Sequence, residues 1–138
     1  MSTFKAFRIS ASGLTAERLR MDTIANNLAN ANTTRTEEGG PYRRQVPVFA
    51  PLLDKSIRGG GKVQGVQVMG IVSDPSPPQI VYDPQHPDAD GDGYVEMPNV
   101  HLVKEMVDLI TATRAYEANI SALNAAKTMA QKALEIGR

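Results

Sequence analysis

The 138-residue sequence contains no cysteine, which removes disulfides, thiolate zinc sites and a cysteine nucleophile from its chemistry. It also lacks an excess of charge of either sign, because 15 lysine and arginine residues balance 15 aspartate and glutamate residues. No net field therefore favours nucleic acid or an anionic membrane as a partner. No apolar run approaches the roughly 20 residues of a membrane-spanning helix. The amino terminus has no uninterrupted apolar core of a secretory signal, which argues against the general secretory route.

The first region, from Phe4 to Ala31, contains no proline and predicts one long helix. Apolar residues recur there every seven positions, with Ile24 on an intermediate turn; the repeating residues are Phe7, Leu14, Met21 and Leu28. This spacing is typical of a helix with a heptad seam.

The middle region, residues 32–98, holds all nine prolines and nine of the eleven glycines. Valine- and isoleucine-rich segments bounded by turn formers predict short strands at 42–49, 62–72 and 79–82. Pro47 places the first of them at a sheet edge. Residues 55–62, with three consecutive glycines, predict a flexible connection or hairpin tip.

The last region, from Asn99 to about Ile136, is again free of proline and of internal glycine and predicts a second long helix, with Asn99 as its N-cap. Its seven-residue seam is imperfect, because Thr113 and Lys127 interrupt the intermediate positions. The apolar seam positions are Leu102, Met106, Leu109, Tyr116, Ile120, Leu123, Ala130 and Leu134.

Together the three regions predict a mainly α protein with a small β module. The two long helices pair as an antiparallel, coiled-coil-like layer, and the short strands are inserted between them at the connecting end. Residues 1–32 and 99–138 then form a helical assembly domain, and residues 33–98 form a β-rich middle domain with loops.

Polar and apolar residues away from the seam indicate that the helices have further partners. Leu19, Asn26 and Asn30 lie on the far side of the first helix, with Asn27 beside them, although a solvated helix back is the simpler alternative. On the second helix, apolar and small residues spread well beyond one stripe; they include Val103, Val107, Ile110, Ala118 and Ala122. Because two helices cannot bury all of this surface, we expect self-association or packing in a larger assembly.

Candidate catalytic and metal groups are few. His101 and Glu105 stand four residues apart, but two ligands without a third make no metal site, so a solvated helix face is expected there. Residues 59–62 resemble part of a phosphate loop, yet Ser56 and Val63 stand where that motif requires glycine and a hydroxyl residue.

The acidic segment 83–99 imitates a calcium loop. Asp88, Asp90 and Asp92 alternate and Gly93 follows, as in the first half of an EF-hand. Asn99 stands where the closing bidentate glutamate belongs, and the prolines before the loop preclude an entering helix. We therefore expect an acidic, extended lead into the second helix, with a calcium-binding module as the alternative.

Two longer motifs resemble the flagellar rod and hook axial protein family. They are "SGLTAERLRMDTIANNLANANTTRT" (residues 12–36) and "YDPQHPDADGDGYVEMPNVHLVKEMVDLITATRAYEANISALNAAKTM" (residues 82–129). The second motif and the short chain are more similar to a proximal rod subunit than to the longer distal rod or hook proteins. Another paralogue of the rod family is the alternative.

This resemblance implies a structural subunit of the bacterial flagellar basal body, without cofactor or catalysis. The subunit would polymerise into a hollow drive shaft across the periplasm and would be needed for flagellum assembly and motility. Export would use the flagellar type III apparatus without a cleaved signal peptide. The implied partners are further copies of the chain, the rod proteins FlgB, FlgF and FlgG, and the adaptor FliE.

The residues that we predict to form assembly interfaces come from both helices. They are Phe7, Leu14, Leu19, Met21, Ile24, Asn26, Leu28, Asn30, Leu102, Met106, Leu109, Tyr116, Ile120, Leu123 and Leu134.

Overall fold

The computed structural model describes residues 3–53 and 62–137. Its elements are, in chain order, α1 (Thr3–Ala29), β1 (Gln45–Leu53), β2 (Val63–Ser73), β3 (Gln79–Tyr82), β4 (Tyr94–Met97) and α2 (Leu102–Ile136). The predicted architecture, mainly α with a small β module between two long terminal helices, is confirmed.

The two helices run antiparallel in a single register. The Asn27 side chain reaches Glu105, and Gly13 lies against Asn119, so the residue numbers of facing positions sum to 132 in both pairs (27 with 105, 13 with 119). At about 1.5 Å per residue, α1 is roughly 40 Å long and α2 roughly 52 Å. Among the described elements, α2 packs against α1 alone, which leaves most of its circumference uncovered.

The first hairpin pairs β1 with β2 from Gln45 opposite Ser73 to Leu53 opposite Val63, with register irregularities near Phe49 and near Leu53. This hairpin lies along α1. The expectation that the whole β module occupies the connecting end is therefore wrong. A side chain at Gly65 would come within 2.3 Å of the Ser12 hydroxyl, so the missing Cβ permits this close approach. Of the predicted hairpin tip 55–62, all but Lys62 lies outside the described residues.

The second hairpin pairs β3 with β4, from Gln79 opposite Met97 to Tyr82 opposite Tyr94. The segment 83–93 is therefore the connection of a hairpin, which corrects the prediction of an extended lead into α2. The two tyrosine rings meet edge to face, with centroids 5.3 Å apart. Gly93 closes the turn at φ +87°, where its Cα lies too close to the Tyr82 ring to carry a side chain.

The second helix begins two residues later than predicted. Leu102 is its first residue, and His101 occupies the N-cap position without a side-chain cap hydrogen bond. Asn99 does not cap the helix, because its side chain bonds to the segments before β1 and after β2 instead. The first helix ends at Ala29, two residues earlier than predicted.

The apolar core of the described residues is small for a chain of this length. The hydrophobic side chains that are buried are Ala16, Ile24, Val95, Val100 and Ala112. Many larger apolar side chains remain exposed on both hairpins and on α2. The fold is therefore held to an unusual degree by polar contacts at one place, where the helices and the first hairpin meet.

Candidate assembly interface

Arg44 is at the centre of a polar cluster, which lies just before β1. Its guanidinium pairs with the fully buried carboxyl of Glu105 on α2. It also reaches Asp74 after β2 at 3.3 Å and Asp108 on α2 at 3.8 Å. One side chain therefore connects the base of the first hairpin to the start of α2.

Asn27 on α1 binds the backbone of Gln45 as a neighbouring strand would. Its amide nitrogen donates to the Gln45 carbonyl at 2.9 Å, and its amide oxygen accepts from the Gln45 N–H at 2.9 Å. The same oxygen accepts from the Tyr42 hydroxyl at 2.8 Å, and the nitrogen lies 3.4 Å from Glu105 Oε2. Asn27 is thus a buried link between α1 and the cluster, and the sequence-based placement beside a far face is wrong.

Asn99 holds the same segment from the other side. Its side-chain oxygen accepts from the backbone N–H of Arg44 at 2.7 Å. Its side-chain nitrogen donates to the backbone carbonyls of Asp74 at 3.2 Å and Ser76 at 3.0 Å. The two ends of the first hairpin are therefore joined by Asn99 immediately before α2 begins.

The surroundings shift the pKa values of three groups in this cluster. Burial lowers the pKa of the Arg44 guanidinium, but the carboxylates of Glu105 and Asp74 outweigh it and hold the pKa above its ordinary value. Hydrogen bonds from Ser76, and then the guanidinium, lower the pKa of Asp74. Burial and the nearby Glu105 raise the pKa of the Tyr42 phenol.

The His101–Glu105 pair does not converge on a common ligand. His101 Nδ1 lies 2.9 Å from the Gln79 amide nitrogen, whereas Glu105 faces Arg44. The expectation of a solvated face is wrong for Glu105, because this side chain is fully buried and pairs with Arg44.

Two aspartates of the acidic loop, Asp90 and Asp88, bind groups of the protein itself. Asp90 accepts hydrogen bonds from the N–H groups of Asp92 and Tyr94, each at 2.9 Å. Asp88 accepts from the Thr34 hydroxyl at 2.6 Å and pairs with Arg35, and these contacts lower its pKa. Across residues 3–53 and 62–137, no three histidine, aspartate or glutamate side chains come close enough together to hold a metal ion. The calcium-binding alternative therefore finds no support.

The predicted interface residues of α1 divide between buried and open positions. Ile24 is buried, Asn26 is exposed and the rest are half-buried; these are Phe7, Leu14, Leu19, Met21, Leu28 and Asn30. Asn26 donates to the Tyr42 hydroxyl at 3.2 Å, and Asn30 donates to the Asn26 carbonyl at 2.9 Å. These hydrogen bonds of Asn26 and Asn30 therefore lie within the chain.

On α2 the predicted seam residues divide between half-buried and exposed positions. Leu109, Tyr116 and Leu123 lie within about 60° of the buried Ala112 at roughly 100° per residue, and they are half-buried on the side of α1. The remaining predicted residues are exposed, and they are Leu102, Met106, Ile120 and Leu134.

A continuous apolar surface covers the outer side of the first turns of α2. We call it the outer α2 surface, and its exposed residues are Leu102, Val103, Met106, Val107 and Ile110. Val103 and Ile110 lie roughly 160–180° around the helix from Ala112, opposite α1. Because no described element packs there, the chain itself leaves this surface unpartnered.

The sequence-based interface set missed the polar residues that organise the site. Asn27, Arg44, Asn99 and Glu105 come from four separate segments, and each is of a type that is usually solvated. Their only signal in the sequence is the position of Asn27 and Glu105 within long helices, which does not distinguish burial from exposure. Within the described ranges, neither helix has an apolar stretch that would cross a membrane.

Two family models of flagellar rod proteins match the two ends of the chain. The family described as "Flagella basal body rod protein" matches residues 7–35, and the family described as "Flagellar basal body rod FlgEFG protein C-terminal" matches residues 92–136.

Three relatives each carry the name flagellar basal-body rod protein FlgC. The chain is 48% identical to the one from Borreliella burgdorferi, over 99% of this chain and 98% of the relative. It is 47% identical to the one from Bacillus subtilis and 39% identical to the one from Salmonella typhimurium, over the whole of both chains in each case. The chain therefore belongs to the FlgC family of flagellar basal-body rod proteins, which makes it a structural subunit of the basal body and not an enzyme.

Proposed function

We propose that this rod subunit polymerises in the proximal part of the rod, where its paired helices form the wall of a hollow drive shaft across the periplasm. The assembly domain is then residues 1–32 with 99–138, and residues 33–98 form the outer β module. The observation that carries this proposal is the outer α2 surface, whose five apolar side chains find no partner within the described chain.

The energetics of the outer α2 surface favour a partner. Full burial of a valine, isoleucine, leucine or methionine side chain contributes roughly 1.5–3 kcal/mol. Ile110 is 56% exposed and Val103 is 73% exposed, so most of that contribution is still available to each of them in the isolated chain. A neighbouring subunit that covers all five residues would add several kcal/mol per contact, before the cost of association is subtracted.

The specific neighbours are part of the proposal. Family membership and the resemblance of the two terminal motifs support contacts with further copies of the chain, with the rod proteins FlgB, FlgF and FlgG, and with the adaptor FliE. The zero net charge of the sequence supports close stacking, because like charge does not accumulate along the polymer. Delivery then uses the flagellar type III export apparatus, without a cleaved signal peptide.

Ile110→Asp tests the outer α2 surface directly. The variant places a carboxylate where a neighbour would bury it, at a cost of several kcal/mol if it stays unpaired. We expect normal expression of the protein, loss of swimming motility, and no rod or hook in electron micrographs of isolated basal bodies.

Thr128→Asp is the matched control, since Thr128 is exposed and lies about 27 Å further along α2 than Ile110. It adds the same charge outside the outer α2 surface, so rods and motility are expected to persist. Wild-type motility in the Ile110→Asp strain would refute the proposed role of this surface. Far-ultraviolet circular dichroism distinguishes an assembly defect from misfolding. The spectra of both purified variants should match the spectrum of the parent protein.

A further inference from the structure

The second hairpin has one open face. In the pairing of β3 with β4, Ile80 lies opposite Glu96 and Tyr82 lies opposite Tyr94. Successive side chains of a strand point to opposite sides, so these four residues share one face and Val95 belongs to the other. Val95 is buried, whereas Tyr82 is 65% exposed and Tyr94 is 48% exposed. Among the described helices and strands, none packs against this hairpin, and we call its exposed side the open face.

A cleft of about 360 Å³ adjoins the open face. It lies between the second hairpin and the loop that follows α1. Tyr94 and Glu96 of the open face line it, together with Asp88 and Asp90 of the acidic loop and Arg35 of the loop after α1. We call it the hairpin cleft. Its volume is in the range of roughly 300–1,000 Å³ that is typical of binding clefts in proteins.

The hairpin cleft carries an excess of negative charge. Among the described residues that line it, Arg35 alone is cationic, and it pairs with Asp88. Asp90 and Glu96 are not balanced by the lining, which gives the cleft a formal charge of −2 (one cation and three carboxylates). The nearest stretch of sequence adds no positive charge, because residues 63–103 contain six aspartate and glutamate residues and no lysine or arginine. The cleft therefore favours a cationic ligand.

Two carboxylates of the hairpin cleft have oxygens available to such a ligand. Asp90 uses Oδ1 for the N–H groups of Asp92 and Tyr94, and its Oδ2 has no partner among residues 3–53 and 62–137. The side chain of Glu96 is exposed and has no partner in the same ranges. A metal ion does not fit, because no three carboxylate or imidazole groups of the described chain come close enough together to hold one. A larger cation that spans separated carboxylates does fit.

An arginine side chain has the chemistry that this arrangement selects. Its guanidinium spreads five donors over a rigid fork, so it contacts two carboxylates at once, and its flat side stacks on a tyrosine ring. The chain already places one guanidinium here, that of Arg35 on Asp88. Beside the cleft, the exposed Ile80 and Tyr82 offer an apolar surface to the residues that flank such an arginine. Tyrosine and arginine are also enriched in protein–protein interfaces.

We infer that the hairpin cleft binds an arginine from a basic segment of a different protein, whose flanking apolar residues cover Ile80 and Tyr82 on the open face. A further copy of this chain has no net charge and is not drawn to the cleft by its overall field, whereas a basic partner is. The inference is independent of the proposed polymerisation, because none of these residues belongs to the outer α2 surface.

Calorimetric titration of the purified full-length protein tests the chemistry of the cleft. The probe is a short synthetic peptide in which arginine and leucine alternate, and a matched peptide carries citrulline, the uncharged analogue of arginine. We expect the arginine peptide to bind, with an affinity that falls as the salt concentration rises from about 0.05 to 0.5 M, because salt screens exposed charges. The citrulline peptide should bind at least about tenfold more weakly.

Single variants assign the binding to the hairpin cleft. Glu96→Gln removes one charge and keeps the shape of the side chain, so the Kd of the arginine peptide should rise about threefold or more. Glu117→Gln is the matched control, because Glu117 is exposed on α2 and does not line the cleft, and its Kd should equal that of the parent. Tyr94→Phe should also bind like the parent, whereas Tyr94→Leu, which lacks a ring, should bind more weakly.

Photocross-linking identifies the occupant in assembled basal bodies. Benzoylphenylalanine replaces Tyr82, which is exposed and does not line the cleft, in a strain that stays motile. We expect an adduct with another protein, at a segment that contains arginine, and a lower yield of that adduct when Glu96→Gln is added to the same chain.

Three outcomes would overturn the inference. They are equal affinity for the arginine and citrulline peptides, equal Kd values for Glu96→Gln and Glu117→Gln, and an adduct that joins two copies of this chain in place of an adduct with another protein. Each of these leaves the proposed rod function intact. That function fails separately, through the Ile110→Asp test.

Discussion

The sharpest test of the fold concerns the pair between Arg44 and Glu105. Arg44→Met removes the guanidinium but keeps an apolar stem of similar length. The carboxyl of Glu105, which is fully buried in the parent, then keeps the Asn27 amide, at 3.4 Å, as its side-chain partner. Loss of one partner from a buried pair costs about 3–5 kcal/mol. The contacts of Arg44 with Asp74 and Asp108 are partly exposed, so each adds only about 0–1 kcal/mol.

The measurement is urea unfolding of the purified full-length protein, followed by far-ultraviolet circular dichroism. We expect the free energy of unfolding to fall by about 3–5 kcal/mol in Arg44→Met. Arg43→Met is the matched control, because Arg43 is the adjacent residue and is exposed, so its change should stay within about 0.5 kcal/mol.

The double variant Arg44→Met with Glu105→Leu distinguishes a lost pair from lost packing. Replacement of a whole buried ion pair by apolar residues is often neutral or stabilising by about 1–4 kcal/mol, so the double variant should recover most of the loss. The reasoning is refuted if Arg44→Met behaves like Arg43→Met. It is also refuted if the double variant is no more stable than Arg44→Met, and this comparison holds even where Arg44→Met alone does not fold.

Three further predictions concern stability. Gly65→Ala should lower the melting temperature more than Gly70→Ala does. Both glycines have positive φ (+135° and +150°), but only at position 65 does the new Cβ meet another atom, 2.3 Å away. Equal shifts of the melting temperature in calorimetry would contradict this prediction. Asn99→Ala leaves the backbone N–H of Arg44 without its acceptor. The free energy of unfolding should fall by about 1–3 kcal/mol for each buried polar group left unpaired. Unchanged stability in urea would contradict the central role of the Asn99 side chain. The pKa values of Asp74 and Asp88 are lowered in the folded protein, so their stabilising contribution is complete above the unfolded value and is lost as the pH falls below about 4. Asp74→Asn should flatten the acid limb of a melting-temperature profile, and an unchanged limb would argue against this assignment.

The long helices were predictable because their signals are local and repeated. Seven-residue apolar spacing and the absence of proline extend over four or more turns, so small errors leave the element intact. Their ends were less predictable. Asn99 has the residue type of an N-cap, but its side chain is taken by backbone groups before β1 and after β2, and the helix begins only at Leu102.

The second hairpin shows why short strands are hard to predict. β4 has four residues, and its pairing with β3 across the loop 83–93 gives it its structure. The aspartates of that loop resembled ligands because alternating carboxylates suit calcium. They equally suit turns, where they accept backbone N–H groups, as Asp90 does.

The packing of the two helices was predictable only in part. Periodicity placed Leu109 and Leu123 on a seam with α1, and it marked Val103 and Ile110 as apolar residues away from that seam. It could not say which of these the chain covers by itself, because that depends on where the first hairpin lies. The hairpin packs along α1, so among the described helices and strands α2 packs against α1 alone and has a large open side.

The sequence by itself determined the two helices, the β character of the middle and, through its terminal motifs, the resemblance to rod proteins, because these depend on spacing and composition along the chain. The tertiary structure alone decided the polar cluster and the open surfaces. Asn27 and Glu105 are 78 residues apart, and their burial follows only when two helices and a hairpin converge on Arg44. A contact between distant segments depends on the relative placement of whole elements, and no local pattern encodes that placement.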